Sequence, residues 1–83
     1  MHISYEPKGV CAAGLEFDIE DGVVKNINFM GGCDGNHKGL AALAEGMPPE
    51  EAAKRLKGIT CGRRNTSCPD QLAAALEQFL AKQ

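Results

Sequence analysis

At 83 residues, with 43% hydrophobic and 24% charged positions, the chain has the size and composition of one small globular domain, not of a disordered tail. Its formal net charge of −2 argues against the broad basic surface of a duplex nucleic-acid binder, and no run approaches the ~18 apolar residues of a membrane span. A chain this short buries only about 60–65% of its unfolded surface, so a metal, a cross-link or a partner subunit is a natural supplement to its core.

In chain order, residues 2–5 are a candidate for a short edge strand. From Ala13, the residues Leu15, Phe17 and Ile19 alternate with Glu16, Asp18 and Glu20, the period of a strand with one buried face. Asp21-Gly22 is a turn pair that accepts positive φ. A second strand, Val23 to Met30, places Ile27 and Phe29 on one face and completes a hairpin over 13–30. The glycine-rich connection Gly31–Asn36 offers Asp34 or Asn36 as a helix cap. The helix that follows takes its apolar stripe from Leu40, Leu43 and Ala44 and stops at Gly46, with His37 read as exposed or weakly packed.

Met47-Pro48-Pro49-Glu50-Glu51 opens a second helix, with proline and acidic residues in its first turn, that ends at Gly58. A loop through Cys61 and Asn65 leads to the last helix. There Ser67 and Asp70, with Pro69 between them, resemble a capping box, and Leu72, Leu76, Phe79 and Leu80 follow at helical spacing. The expected fold is α+β. A small antiparallel sheet, the hairpin plus the N-terminal strand, is covered on one face by about three helices in a single domain over 1–83. Residues 54–64 carry five cations, Lys54, Arg55, Lys57, Arg63 and Arg64, which read first as a solvated face and second as a surface for docking another protein.

The amino terminus has no basic segment followed by an apolar one, which points to a cytoplasmic protein whose thiols stay reduced. Structural disulfides are then disfavoured, and the four cysteines ask for another use. Cys11, Cys33, Cys61 and Cys68 lack the paired C-x2-C spacing of a zinc ribbon. Their places in the expected fold are more telling. Cys11 enters the hairpin and Cys33 leaves it, so strand pairing brings the two ends together. Cys33 and Cys68 fall at helix N-termini, where the dipole and unsatisfied N–H groups favour the thiolate that binds metal. Cys61 is seven residues before Cys68, and Arg63 and Arg64 would offset the charge of four thiolates.

Asp34 and Asp70, each beside a cysteine, could serve as ligands or as caps. Zinc on Cys11, Cys33, Cys61 and Cys68 is the leading expectation, on the closed four-ligand logic of structural sites. An iron–sulfur cluster, a redox pair of Cys61 and Cys68, and simple packing stand as alternatives.

Thr66-Ser67-Cys68-Pro69-Asp70 resembles the signature of the TSCPD domain family, and Gly31–Asn36 and Arg55–Gly62 resemble its other shared blocks. The resemblance runs over roughly residues 5–80. Members of that family are small free-standing bacterial proteins or the C-terminal segment of cobalamin-dependent ribonucleotide reductases, where the cysteines are taken to bind metal or assist thiol exchange. The resemblance implies an accessory role in deoxyribonucleotide synthesis, with a ribonucleotide reductase or another protein as partner. The chain has no recognisable phosphate-binding loop and no room for a catalytic barrel, so by itself it is not expected to be a complete ribonucleoside-diphosphate reductase.

In architecture the chain is also similar to iron–sulfur cluster scaffold proteins, with Cys11, Cys33 and Cys68 matching the three scaffold cysteines. It departs from them at Ala13, where the scaffolds carry an acidic residue, and at Ser67, where they carry histidine. Those departures favour a site closed by a fourth cysteine, Cys61.

Overall fold

The alternation after Ala13 and the Asp21-Gly22 pair produce the element they predict. A computed structural model describes residues 1–10, 12–31, 34–60 and 66–82, with backbone only at 34–36. In it, β1 (His2–Tyr5), β2 (Gly14–Glu20) and β3 (Val23–Met30) form one antiparallel sheet in the order β1-β2-β3. Asp21 and Gly22 both take positive φ, 54° and 78°, the backbone twist that a two-residue hairpin turn needs.

The hairpin is not regular throughout. Glu16 pairs with Asn28 and Asp18 with Lys25, so two steps on β2 match three on β3. The extra residue makes a bulge, and Asn26 occupies it at φ 56°, a conformation that asparagine tolerates better than most residues. Its backbone N–H donates to Glu45 Oε1 and its side-chain amide to Asp18 Oδ2, both at 2.9 Å. The bulge explains why Val24, Ile27 and Phe29 all face the core although strict alternation would separate Val24 from the other two.

The N-terminal segment does form an edge strand. Ile3 pairs with Phe17 and Tyr5 with Leu15, and the Met1 ammonium donates to the Ile19 carbonyl at 2.9 Å. His2 Nδ1 lies 2.7 Å from Asp18 Oδ1, a contact that raises the imidazole pKa above its ordinary value. The opposite edge is partly covered: Gly46 N–H donates to the Val24 carbonyl, and Val24 N–H to the Met47 carbonyl.

Three helices follow, α1 (Asp34–Ala44), α2 (Pro49–Leu56) and α3 (Cys68–Ala81). The stops fall where glycine was expected to impose them, with Gly46 at φ 80° and Gly58 at φ 85°. Leu15, Phe17, Leu72 and Leu76 are fully buried at the centre of the core, which α1, α2 and α3 complete with Ala44, Ala52, Ala53, Ala73 and Ala75. The many alanines let the helices approach the sheet closely, so volume comes from the sheet residues and the α3 leucines.

The α1 stripe differs from expectation at two points. Leu43 is 79% exposed, and His37 is buried. The inward face runs through positions 37, 40, 41 and 44, and Leu43 is turned about 100° away from Ala44. Asn36 lies inside α1, so it does not cap it. On α2 and beyond it, Arg55 pairs with Glu51 at 2.7 Å and Lys57 with Glu77 at 3.1 Å, which makes these cations members of a solvated, internally paired face. No helix among the described residues is long and apolar enough to cross a membrane.

Candidate functional site at the start of helix α3

Ser67 has extended backbone (φ −152°, ψ 171°), the geometry of an N-cap. Its hydroxyl accepts from Asp70 N–H at 3.2 Å and donates to the Ile59 carbonyl at 2.6 Å. Half of the expected capping box is therefore present. The other half is replaced by a wider clamp. Asp70 Oδ1 accepts from Gly58 N–H at 2.7 Å, and Oδ2 accepts from the Thr66 hydroxyl at 2.5 Å. With both oxygens engaged, Asp70 serves as the clamp of this corner, closer to the capping role than to a ligand.

Thr66 and Ser67 are themselves buried, so their hydroxyls need partners and have them. Thr66 Oγ1 also accepts from the Gln71 amide at 2.9 Å, and Gln71 Oε1 accepts from Lys8 N–H at 2.9 Å. That last bond ties the chain before Cys11 to the start of α3. Next to it Gly9, at φ 74°, passes so close that a Cβ would sit 3.1 Å from Thr66 Cγ2. Both the backbone angle and the space favour glycine there.

Cys68 is the first residue of α3, directly after the cap, half-buried and packed against the core. This is the helix-terminal position expected for it. Cys11, Cys33, Cys61, Arg63 and Arg64, and the side chain of Asp34, lie outside the described residues. Their described neighbours are nonetheless joined. Ala13 N–H donates to the Met30 carbonyl at 2.7 Å, which fastens the chain after Cys11 to the chain before Cys33. Gly9 abuts Thr66, and Ile59 accepts from Ser67, which joins the flanks of Cys11 and Cys61 to that of Cys68. Among the described residues themselves, no group of three or more His, Cys, Asp or Glu side chains could hold a metal ion.

A family model for the TSCPD domain matches residues 3–80. The chain belongs to the TSCPD domain family. Searches of curated proteins and of solved structures gave no match. In this TSCPD domain, the side chains of Thr66, Ser67 and Asp70 are spent on holding Cys68 at the head of α3 and on tying that head to Gly58 and Ile59. Sequence reasoning found Ser67 and Asp70 from their three-residue spacing. It missed Thr66 and Gln71, whose partners are set only by tertiary contact.

The Thr66 hydroxyl, then the Gly58 N–H, hold the Asp70 carboxyl below its ordinary pKa, with Lys57 adding to the effect against burial. A carboxylate stabilised in the fold contributes fully above its unfolded pKa, about 3.9, and that contribution fades as the pH falls through the lower folded value. Asp70→Ala leaves the buried Thr66 hydroxyl without its acceptor, while the exposed Gly58 N–H turns to water, and should cost about 1–3 kcal/mol in urea unfolding at neutral pH. Asp70→Asn, which keeps one acceptor, should cost less and should flatten this part of the acid dependence. An Asp70→Ala midpoint equal to that of the parent would show that the clamp contributes nothing.

Proposed function

We propose that this TSCPD domain is a metal-binding accessory module in which Cys11, Cys33, Cys61 and Cys68 hold one zinc ion. The observation that carries the reading is the network just described. Hydrogen bonds and one close backbone approach connect the segments that bear all four cysteines, in a chain with no paired-cysteine spacing to do so locally. Thiolates are the donors that zinc favours, and four of them close its tetrahedral shell. Cys68 at the positive end of α3, with Arg63 and Arg64 nearby in sequence, suits a site with excess negative charge. Zinc in such a shell supplies structural stability and no open position for chemistry.

Family membership is consistent with a module associated with ribonucleotide reductase, and we take the accessory role in ribonucleotide reduction from that relation. The work of the domain would be to present a rigid, metal-stapled surface to a partner protein in the cytoplasm.

Elemental analysis of protein purified without oxygen, together with its visible spectrum, tests the reading. One equivalent of zinc and a colourless sample are expected. Iron with a brown colour would replace zinc by an iron–sulfur cluster. A stable fold with four thiols and neither metal would overturn the proposal in favour of thiol exchange or packing.

A further inference from the structure

The sheet has one strapped edge and one open edge. Gly46 and Met47 engage the backbone of Val24 on β3, but among the described residues nothing does the same for β1. Met1 and Ile19 exchange both backbone hydrogen bonds, at 2.9 and 2.8 Å, and the register continues through Ile3 with Phe17 and Tyr5 with Leu15. In an antiparallel pair such exchanges recur at every second residue, so the N–H and C=O groups of His2 and Ser4 point away from β2. Beside that edge, between β1 and α3, runs a groove of about 690 Å³. Ile3 and Tyr5 form its sheet wall, and Ala75 and Phe79 its helix wall.

Two cations also line the groove. The backbone of Lys8 is tied to Gln71 near the start of α3, and Lys82 is the C-cap of that helix. Eleven residues of helix, roughly 16 Å, separate those two ends. Neither ammonium has an ion-pair or hydrogen-bond partner among the described residues. The carboxylate on the groove wall is Glu6, so the lining side chains carry a positive balance in a chain whose net charge is −2.

We propose that an extended, acidic segment of a partner protein adds to β1 as a fourth strand and lies in this groove. The free groups of His2 and Ser4 supply main-chain hydrogen bonds, which only an extended chain can match along a strand edge. Alternate side chains of that segment, roughly 6.6 Å apart, then fall on the apolar walls. Carboxylates beyond them meet Lys8 and Lys82. A second copy of this chain would bring the same two cations to the same face, so the charge favours a partner of opposite sign. The inference extends the accessory reading above, from which it takes only that a partner exists. No groove residue belongs to the four-cysteine site, so the two ideas fail separately.

Amide NMR of the full chain, titrated to millimolar peptide, tests this. The probes are acetyl-Glu-Thr-Val-Thr-Val-Thr-Glu-amide and the same peptide with lysine at both ends. The acidic peptide should shift signals of residues 2–5 and 75–82, with the His2 and Ser4 amide protons moved downfield and protected from exchange. The lysine-ended peptide should bind on the order of tenfold more weakly, a gap that narrows as salt is raised. Lys82→Glu should erase that preference while leaving the zinc content unchanged. Ser4→Pro removes one outward N–H at an edge position where proline is tolerated, and should abolish binding. If Ser4→Pro does not fold, Lys82→Glu decides. No shift with either peptide, shifts confined to other surfaces, or equal affinity for both peptides would overturn the proposal. Signals of residues 2–5 that move with protein concentration alone would also overturn it, by making the occupant a second copy. A parent without zinc that still binds the acidic peptide would sink the metal reading and uphold this one.

Discussion

Alanine at both Cys61 and Cys68 should abolish zinc binding and unfold the domain, or lower its melting temperature by tens of degrees. The expectation follows from relative magnitudes. A chain of this length has a total stability of roughly 4–12 kcal/mol, at 0.05–0.15 kcal/mol per residue. Structural zinc in small thiolate and imidazole sites contributes about 10–16 kcal/mol. On the proposed ligation, removing two of four ligands removes a term as large as the whole net stability. Thermal unfolding followed by circular dichroism, with metal content measured on the same samples, decides the matter. EDTA should drive the parent in the same direction. A double variant with the parent's melting temperature and metal content would show that these two cysteines are not ligands. A variant that stays folded yet loses thiol-exchange activity would instead identify them as a redox pair.

The second large effect belongs to the core and is independent of any metal. Phe17 is fully buried on the central strand, beside the step at which the β2–β3 register shifts. Phe17→Ala should cost about 3–5 kcal/mol, the range for removing a buried aromatic ring whose surroundings cannot close over the gap. The neighbouring helices contribute mostly alanine to the core, which has no longer side chain to swing into the space. Phe17→Leu should fall well short of that cost. Urea unfolding of both variants beside the parent, at one fixed zinc concentration with metal content measured, would separate the core term from the site. A Phe17→Ala cost below about 1 kcal/mol would mean that the core can repack around the loss.

Much of this fold was legible because local signals agreed. Alternation, the Asp21-Gly22 turn, the glycine stops and the Ser67–Asp70 spacing each point to the element that forms. The bulge at Asn26 was not legible, because it is a matter of register between two strands and leaves only one asparagine as a trace. The orientation of α1 was misread at Leu43 because hydrophobicity was taken as a guide to burial. On a helix with only two leucines, the buried polar ring of His37 sets the face as much as they do. At the site, the sequence pointed to Cys68 and its cap. The clamp from Asp70 to Gly58 and the bond from Lys8 to Gln71 bridge 12 and 63 positions, distances over which no local pattern exists.

One carboxylate at Asp70 holds Gly58 with one oxygen and Thr66 with the other. It thereby closes the loop between them before any ligand enters it. Closing eight residues costs roughly 2 kcal/mol of chain entropy by the logarithmic rule, and the closure here is made by protein atoms alone. An ion captured by Cys61 and Cys68 would not have to draw those ends together. Its association would be faster for that reason.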